Sequence, residues 1–153
     1  MIDLHELEAI KRLKHTYFRA LDTKDWPLMR TCLAEECIAR YDGGKYSFDG
    51  RENIVGFLGQ YMDPPTMITL HQAHHPEIDI LSDNKATGIW YLQDMVIDLK
   101  NNTTLRGAGF YHDEYIKRDG HWQISSTGYE RTFEEIEKRS DAIKLNHNRF
   151  SQD

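Results

Sequence analysis

Residues 67–81, MITLHQAHHPEIDIL, form the stretch in which the chain changes from helical patterns to strand patterns. Before this stretch, apolar residues recur at spacings of three and four, whereas from Pro76 onward polar and apolar residues alternate. The first spacing is typical of an amphipathic helix and the second of a half-buried strand. Helices followed by a run of strands predict an α+β fold, in which helices cover one face of an antiparallel sheet.

Three helices are predicted before this point. The first has one apolar stripe, drawn by Leu7, Ile10, Leu13, Tyr17 and Leu21. The second has Asp25 as its candidate N-cap and Pro27 in its first turn, and we expect it to continue through residues 33–36. A third, short helix covers residues 51–62 and is ended by a pair of prolines.

Four long strands are predicted after it, at residues 67–81, 86–99, 105–118 and 122–133, with hairpin-type turns between them. A shorter hairpin is predicted around Gly43 and Gly44. A sheet of this kind, when sufficiently curved, encloses a pocket between its concave face and the helices. Gly107 and Gly109 are typical of a bend or of a close approach of another backbone.

One domain is predicted for residues 1–135, because a chain of 153 residues suits a single core. Residues 136–153 are interpreted as a polar C-terminal tail, either a frayed helix or a contact between subunits.

Charge and composition exclude several classes of protein. The net charge of -6 and the absence of a long basic cluster argue against a nucleic-acid partner. The longest apolar run is far too short to span a bilayer, and the N-terminus lacks the order of a signal peptide. We therefore expect a cytoplasmic protein in which Cys32 and Cys37 are reduced, buried thiols.

The histidines of residues 67–81 have three interpretations. A zinc site is weakly supported, because His74 would point away from His71 and His75 on a strand and a third ligand is missing. An acid/base role requires an enclosed pocket and a carboxylate partner, and His71 follows the most apolar approach. The third interpretation is a buried structural histidine or plain surface. His74 and His75 are expected to form a bulge near the rim or on the surface.

Several motifs resemble the SnoaL-like branch of the NTF2-like superfamily. They are ALDTKDW at the end of the first helix, a histidine seven residues before IDI, ATGIWYL, and GFYHDEYIKRDGHWQIS. The resemblance extends to about Phe133. Within the branch, the chain resembles the lyases bile acid 7α-dehydratase, scytalone dehydratase and hexachlorocyclohexane dehydrochlorinase. Leu21 stands where scytalone dehydratase has a tyrosine, which favours the bile acid dehydratase pattern.

The resemblance implies a cone fold, a curved antiparallel sheet wrapped around about three N-terminal helices that enclose a pocket. It also implies that Asp22, at the end of the first helix, meets His71 in the pocket as a catalytic pair. A carboxylate that accepts a hydrogen bond from one ring nitrogen leaves the other nitrogen as a base. Taken alone, Asp22 is interpreted equally well as a helix-end carboxylate.

Further site residues follow from the same resemblance. Tyr17 and Asp94 are carried over as catalytic residues. The expected substrate-binding residues are Tyr41, Arg131, Tyr111 and Trp90. Core packing is the alternative for Tyr17, an ordinary strand tyrosine for Tyr41, and a solvated surface side chain for Arg131. No metal ligand is assigned.

The function predicted on this basis is a cofactor-independent lyase. It would eliminate water next to a carbonyl of a hydrophobic, cyclic, steroid-like or polyketide-like small molecule, with no metal or nucleotide in any step. The alternatives are an isomerase or polyketide cyclase that transfers a proton, and a non-catalytic ligand-binding module. The resemblance also implies a homo-oligomer, a trimer or a dimer, with the exposed sheet face as its interface.

Overall fold

The computed structural model describes residues 3–152 and contains three helices and six strands. In chain order, the elements are α1 (Leu4–Thr23), α2 (Trp26–Cys32), β1 (Leu33–Tyr41), β2 (Tyr46–Asp49), α3 (Arg51–Met62), β3 (Met67–Ser82), β4 (Lys85–Asp98), β5 (Thr103–Arg118) and β6 (His121–Lys138). The predicted α+β class, with helices preceding the long strands, is confirmed.

The six strands form one curved sheet in the order β2-β1-β6-β5-β4-β3. The long strands β3 to β6 pair as an antiparallel meander, as expected for strands joined by short turns. β1 pairs with the last strand, β6, in the parallel sense, so the sheet is not wholly antiparallel. This pairing joins the first half of the chain to its final strand.

The core lies between the concave face of the sheet and the three helices. The apolar stripe of α1 is confirmed: Ile10, Tyr17 and Leu21 are buried, and Leu13 packs against them. Asp3 caps the N-terminus of α1 by accepting hydrogen bonds from two backbone N–H groups. Along much of β4 and β5, inward residues alternate with outward ones, so these strands contribute about every second residue to the core.

Two predictions about element boundaries are wrong. Helix α2 ends at Cys32, and residues 33–36, expected to be helical, begin β1. These residues are good helix formers, but β1 is completed by its pairing with β6, and tertiary contacts override a weak propensity. Of the two alternatives for the tail, a frayed helix is wrong for residues 136–152: β6 runs to Lys138, and residues 139–152 form turns and irregular chain.

The predicted bulge near His74 and His75 is confirmed. The pairing of β3 with β4 shifts between His74 and Glu77, and His75 has a positive φ of 49°. The bulge breaks the alternation of β3, so parity does not place His75 on the face of His71. The predicted close approach at Gly109 is also confirmed, since a Cβ there would collide with the Glu130 carbonyl.

Candidate functional site

A cavity of about 220 Å³ lies between the concave face of the sheet and helices α1 and α3. Its wall is largely apolar and aromatic, and it includes Tyr17, Tyr41, Phe57, Tyr111, Tyr129 and His71. An enclosed apolar space with few polar groups is the usual form of a small-molecule site.

Asp22 and His71 meet at this cavity. The Asp22 Oδ1 atom lies 2.7 Å from His71 Nδ1, and Asp22 Oδ2 accepts a hydrogen bond of 2.8 Å from the backbone N–H of His71. Thr69 Oγ1 donates a third hydrogen bond, of 2.8 Å, to Asp22 Oδ1. The carboxylate is thereby fixed in one orientation by the strand that carries the histidine.

The positions of these two residues follow from the local structure. Helix α1 ends at Thr23 because Lys24 adopts a left-handed conformation, with φ 58°, and caps the last turn. Asp22 therefore lies in the final turn of the helix, next to the start of β3. Lys24 strengthens this junction by donating hydrogen bonds to the carbonyls of Pro64, at 3.2 Å, and Met67, at 2.7 Å.

One ring nitrogen of His71 remains for a ligand. Nδ1 is bound to Asp22, and no residue within 3–152 is hydrogen-bonded to Nε2. The imidazole stacks on the Phe18 ring at a centroid distance of 5.5 Å and an interplanar angle of 11°. Its side chain is 8% exposed, so the ring is held rigidly at the cavity wall.

Three of the tyrosines that line the cavity, Tyr17, Tyr41 and Tyr111, are buried. The Tyr17 and Tyr41 hydroxyl oxygens lie 2.7 Å apart, and Tyr111 is the third. Burial raises the pKa of all three phenols above the ordinary value. They are therefore neutral hydrogen-bond donors at physiological pH. Since one of the Tyr17 and Tyr41 hydroxyls donates to the other, the pair offers one remaining proton to a ligand.

Asp94 and Arg131 form a buried ion pair beside His71. Arg131 Nη2 donates to Asp94 Oδ2 at 2.9 Å, and Nη1 binds the other carboxylate oxygen. Burial opposes the charge of Arg131, but the bonds to Asp94 outweigh it and raise the pKa of Arg131. Asp94 is the direct cross-strand partner of His71. Arg131 reaches it by crossing Gly107, where a Cβ would collide with the guanidinium.

The predicted site residues therefore fall into three groups. His71, Tyr17, Tyr41 and Tyr111 line the cavity, and Asp22 binds His71. Asp94 and Arg131 lie adjacent to His71 but form no part of the cavity wall. The alternative of a solvated Arg131 is wrong, because its side chain is 14% exposed.

Trp90 does not reach the cavity. It is 1% exposed, and its indole N–H donates to the Tyr115 hydroxyl at 2.8 Å beneath helix α1. His74 and His75 lie in an outer groove of the sheet together with Tyr91 and Phe133, away from His71. Among residues 3–152, no three His, Cys, Asp or Glu side chains are arranged to hold a metal ion.

Sequence analysis missed several residues of the wall. Tyr129 lines the cavity two positions before Arg131 on β6, and Phe57 projects into it from α3. Thr69, the third partner of Asp22, stands two residues before His71. Strand parity was the available signal for Thr69 and Tyr129, because residues two apart share a face. Nothing in the sequence indicated that Phe57 faces this space.

The curved sheet, the three covering helices and the enclosed cavity define a cone fold of the NTF2-like type. A family model for the SnoaL-like domain matches residues 3–128. The chain belongs to the SnoaL-like family. In the described part of the chain, no helix is long and apolar enough to cross a membrane.

Solved structures share this fold over nearly the whole chain. A protein from Novosphingobium aromaticivorans that carries the name of a scytalone dehydratase matches with a TM-score of 0.81 at 21% identity, over 94% of this chain and 95% of that one. A type 2 hexachlorocyclohexane dehydrochlorinase matches with a TM-score of 0.82 at 17% identity, over 94% and 97%. An NTF2-like protein of unknown function from Pseudomonas putida matches with a TM-score of 0.72 at 15% identity, over 87% and 91%. At these identities the likeness establishes the fold.

Proposed function

We propose that the protein is a cofactor-independent lyase that eliminates water from a cyclic small molecule at a carbon next to a carbonyl. The observation that carries the proposal is the Asp22 to His71 contact of 2.7 Å at the wall of a largely aromatic cavity. A histidine held in this way has one free ring nitrogen, a fixed orientation and a buried partner for its charged form. Two named neighbours in the same fold, a dehydratase and a dehydrochlorinase, support an elimination.

The proposed reaction begins with proton transfer. His71 Nε2 takes a proton from the carbon next to the substrate carbonyl, and the electron pair of the C–H bond moves to the carbonyl oxygen. Asp22 accepts a hydrogen bond from Nδ1 and stabilises the imidazolium that forms. The enolate then re-forms its carbonyl, and the C–O bond to the leaving hydroxyl breaks. His71 returns its proton to that oxygen, which leaves as water.

The tyrosines stabilise the enolate oxygen in this proposal. A buried, neutral hydroxyl aimed at a developing oxyanion is preorganised, because it need not reorient during the reaction. The Tyr17 and Tyr41 pair offers one such proton, and Tyr111 offers another. Their raised pKa values keep them protonated, as a donor must be.

Asp94 and Arg131 are assigned to orientation of the substrate. They stand directly beside His71 on the concave face, and Arg131 carries a permanent positive charge. The pair lies outside the cavity wall, so in this proposal a polar substituent that extends past His71 reaches it, and that contact fixes the distance between the acidic C–H and Nε2. Holding reactants in position is itself a large part of catalysis.

The size of the cavity favours a small ring system. Ligand sites for drug-sized molecules measure about 300–1,000 Å³, and an apolar cavity of about 150 Å³ accepts benzene. A cavity of about 220 Å³ therefore holds one or two rings, and a larger ring system would extend out of it past the exposed Tyr61. The aromatic rings of the wall suit a flat ring, which they contact face or edge on.

The test is a panel of one-ring and two-ring β-hydroxy ketones, with a steroid enone and a hydroxyacyl thioester as larger members. New conjugation is followed by ultraviolet absorbance, and the product mass is measured. A product lighter by one water molecule supports elimination, whereas an unchanged mass establishes the isomerase or cyclase alternative. Binding without turnover of any compound establishes the ligand-binding module.

His71→Gln and His74→Gln are the matched variants for this test. Both replace a histidine of β3, but His71 faces the cavity and His74 lies in the outer groove. We expect His71→Gln to abolish turnover and His74→Gln to retain it, with urea unfolding showing that both proteins fold. Equal turnover by the two variants would contradict a role for His71 as the base.

Self-association on the outer face of the sheet stays a prediction. This face exposes Leu70, Tyr91 and Phe133, which are between 42% and 53% accessible in the single chain. Exposed apolar patches of this kind are typical of interfaces. Sedimentation of the protein and of its Tyr91→Lys variant would distinguish a trimer or dimer from a monomer.

A further inference from the structure

A second charge pair is buried behind the cavity. Lys14 Nζ, from the middle of α1, lies 2.7 Å from Asp113 Oδ2 of β5, and both side chains are completely inaccessible to solvent. Sequence analysis assigned neither residue a role, and the proposed reaction does not use them. Transfer of two charges into an apolar interior carries a desolvation cost that the ion pair only partly offsets.

Asp113 is anchored by further hydrogen bonds. Its Oδ1 accepts from Thr127 at 2.7 Å, and its Oδ2 accepts from the Tyr115 hydroxyl at 2.9 Å. Tyr115 in turn accepts from the Trp90 indole. These bonds hold Asp113 in one place, and Asp113 thereby holds the lysine.

The ammonium group of Lys14 is directed at aromatic rings of the cavity wall. Nζ lies 3.6 Å from the centroid of the Tyr111 ring and 4.8 Å from that of Tyr17. It is also 5.1 Å from the Phe18 ring, which stacks on His71. Tyr111 and Tyr17 also line the cavity. The ammonium group therefore contacts the rings of two residues of the cavity wall.

We propose that Lys14 is a positioning residue that acts through Tyr111 and Tyr17, making their side of the cavity favourable to an oxyanion. A cation over a phenol ring attracts its electrons, which strengthens the hydroxyl as a hydrogen-bond donor. The Lys14 charge also attracts a negative oxygen in the cavity, although the Asp113 carboxylate 2.7 Å from Nζ offsets part of that attraction. This inference rests on the proposed function, because it concerns the oxygen that becomes negative during the elimination.

The energetic cost supports a function beyond packing. A pair of apolar residues of similar volume would often be as stable as a buried ion pair, or more so. Burial also lowers the pKa of Lys14, and Asp113 opposes that change. The hydrogen bonds to Asp113 thus help to keep a cation at a place where the interior disfavours one.

The test uses 2-naphthol, a flat two-ring phenol whose neutral and ionised forms are distinguished by fluorescence. The apparent pKa of the bound probe is measured with the wild-type protein, Lys14→Met and Lys11→Met. Lys11 is the matched control, since it belongs to the same helix but pairs with Glu8 at the surface. We expect the preference for the ionised probe to fall about tenfold in Lys14→Met, which equals about one pKa unit of the probe. Lys11→Met should match the wild type.

A double variant separates positioning from stability. Lys14→Met leaves Asp113 buried without its cation, whereas Lys14→Met with Asp113→Asn removes both charges. The inference predicts that the double variant regains stability towards urea but does not regain the preference for the ionised probe. Recovery of both properties together would show a purely structural pair and overturn the inference. So would an unchanged probe pKa in Lys14→Met, or no binding of 2-naphthol by the wild type.

The two proposals fail in different ways. The probe experiment requires no turnover. If the wild-type protein prefers the ionised probe but eliminates water from no substrate, the lyase proposal is contradicted, whereas the proposed effect of Lys14 on the cavity is not. A functional lyase whose Lys14→Met variant has the wild-type probe pKa contradicts only the present inference.

Discussion

Two of the acid–base contacts between helix α1 and the sheet, Asp22–His71 and Lys14–Asp113, have opposite character. The Asp22–His71 pair stands at the end of the helix, where the two side chains are 20% and 8% exposed and border the cavity. The Lys14–Asp113 pair stands two turns earlier and is completely buried. One pair has a ring nitrogen left for a ligand, whereas the other is closed off by hydrogen bonds and aromatic rings. The difference indicates that α1 places the proposed catalytic residue at its C-terminal end and a buried, structurally constrained ion pair at its middle.

The largest effect on activity is expected at the Asp22–His71 pair. Asp22→Asn preserves the shape of the side chain but removes the charge that stabilises an imidazolium, so kcat should fall by about 10²–10⁴. Asp25→Asn is the control, because Asn is an equally good N-cap for α2 and Asp25 does not contact His71. Steady-state kinetics of the two variants measures the difference. Similar kcat values for Asp22→Asn and Asp25→Asn would show that Asp22 takes no part in the reaction.

The buried pair should matter first for stability. Lys14→Met leaves a buried carboxylate without its cation, and we expect the free energy of unfolding to fall by about 3–5 kcal/mol. Urea titration followed by tryptophan fluorescence measures this change, since Trp90 belongs to the same network. A loss of less than about 1 kcal/mol, the range of exposed pairs, would show that the two pairs of α1 do not differ as the structure indicates.

A third pair, Asp94–Arg131, allows an intermediate test. Gly107→Ala places a methyl group against the Arg131 guanidinium, and overpacking of this kind costs about 1–3 kcal/mol. Gly56→Ala is the matched control: it lies in α3 with open space around it, where Ala should stabilise the helix by about 0.5–1 kcal/mol. Opposite shifts in Tm are expected. A stabilised Gly107→Ala protein would mean that Arg131 does not lie across the strand.

The smallest effect is expected in the reactivity of Cys32 and Cys37, the two thiols near the Lys14–Asp113 pair. Burial raises the pKa of Cys32 to about 11 and of Cys37 to about 12, and both residues are free thiols. Because the thiolate is the reactive form, neither should react with a thiol reagent in the folded protein at pH 8. Both should react once urea unfolds the chain. Rapid labelling of Cys37 in the native protein would show that the region around Lys14 is open to solvent.

The fold was largely predictable from the sequence because its patterns are local. The apolar stripe of α1, the cap at Asp25 and the turns between the long strands each lie within a few residues of the element that they define. The helix predicted for residues 33–36 was wrong because the strand with which they pair, β6, is far away along the chain. The pairing of Asp22 with His71 was inferred from a family resemblance, and the distance of 2.7 Å between Asp22 Oδ1 and His71 Nδ1 agrees with it. The catalytic roles of both residues stay predictions.

The buried network was not predictable from local patterns. Lys14 follows Ile10 by four residues and precedes Tyr17 by three, so helical spacing places it in the apolar stripe of α1, but a lysine side chain usually extends from such a position into solvent. The prediction that Trp90 binds substrate was wrong for a related reason. Strand parity correctly places Trp90 on the concave face, but parity does not distinguish the cavity from the space beneath α1. Only the packing of the helix against the sheet separates these two regions.

The parallel pairing of β1 with β6 also bears on how the protein is made. On the ribosome, β1 is synthesised well before β6, one of its two neighbours in the sheet. Contacts between residues distant along the chain form slowly, because their loop must close before they contribute any stability. Until β6 emerges, the nascent chain has an unpaired edge on β1 and on β5. Chaperones that shield strand edges are therefore expected to raise the yield of this protein more than those that assist helical domains.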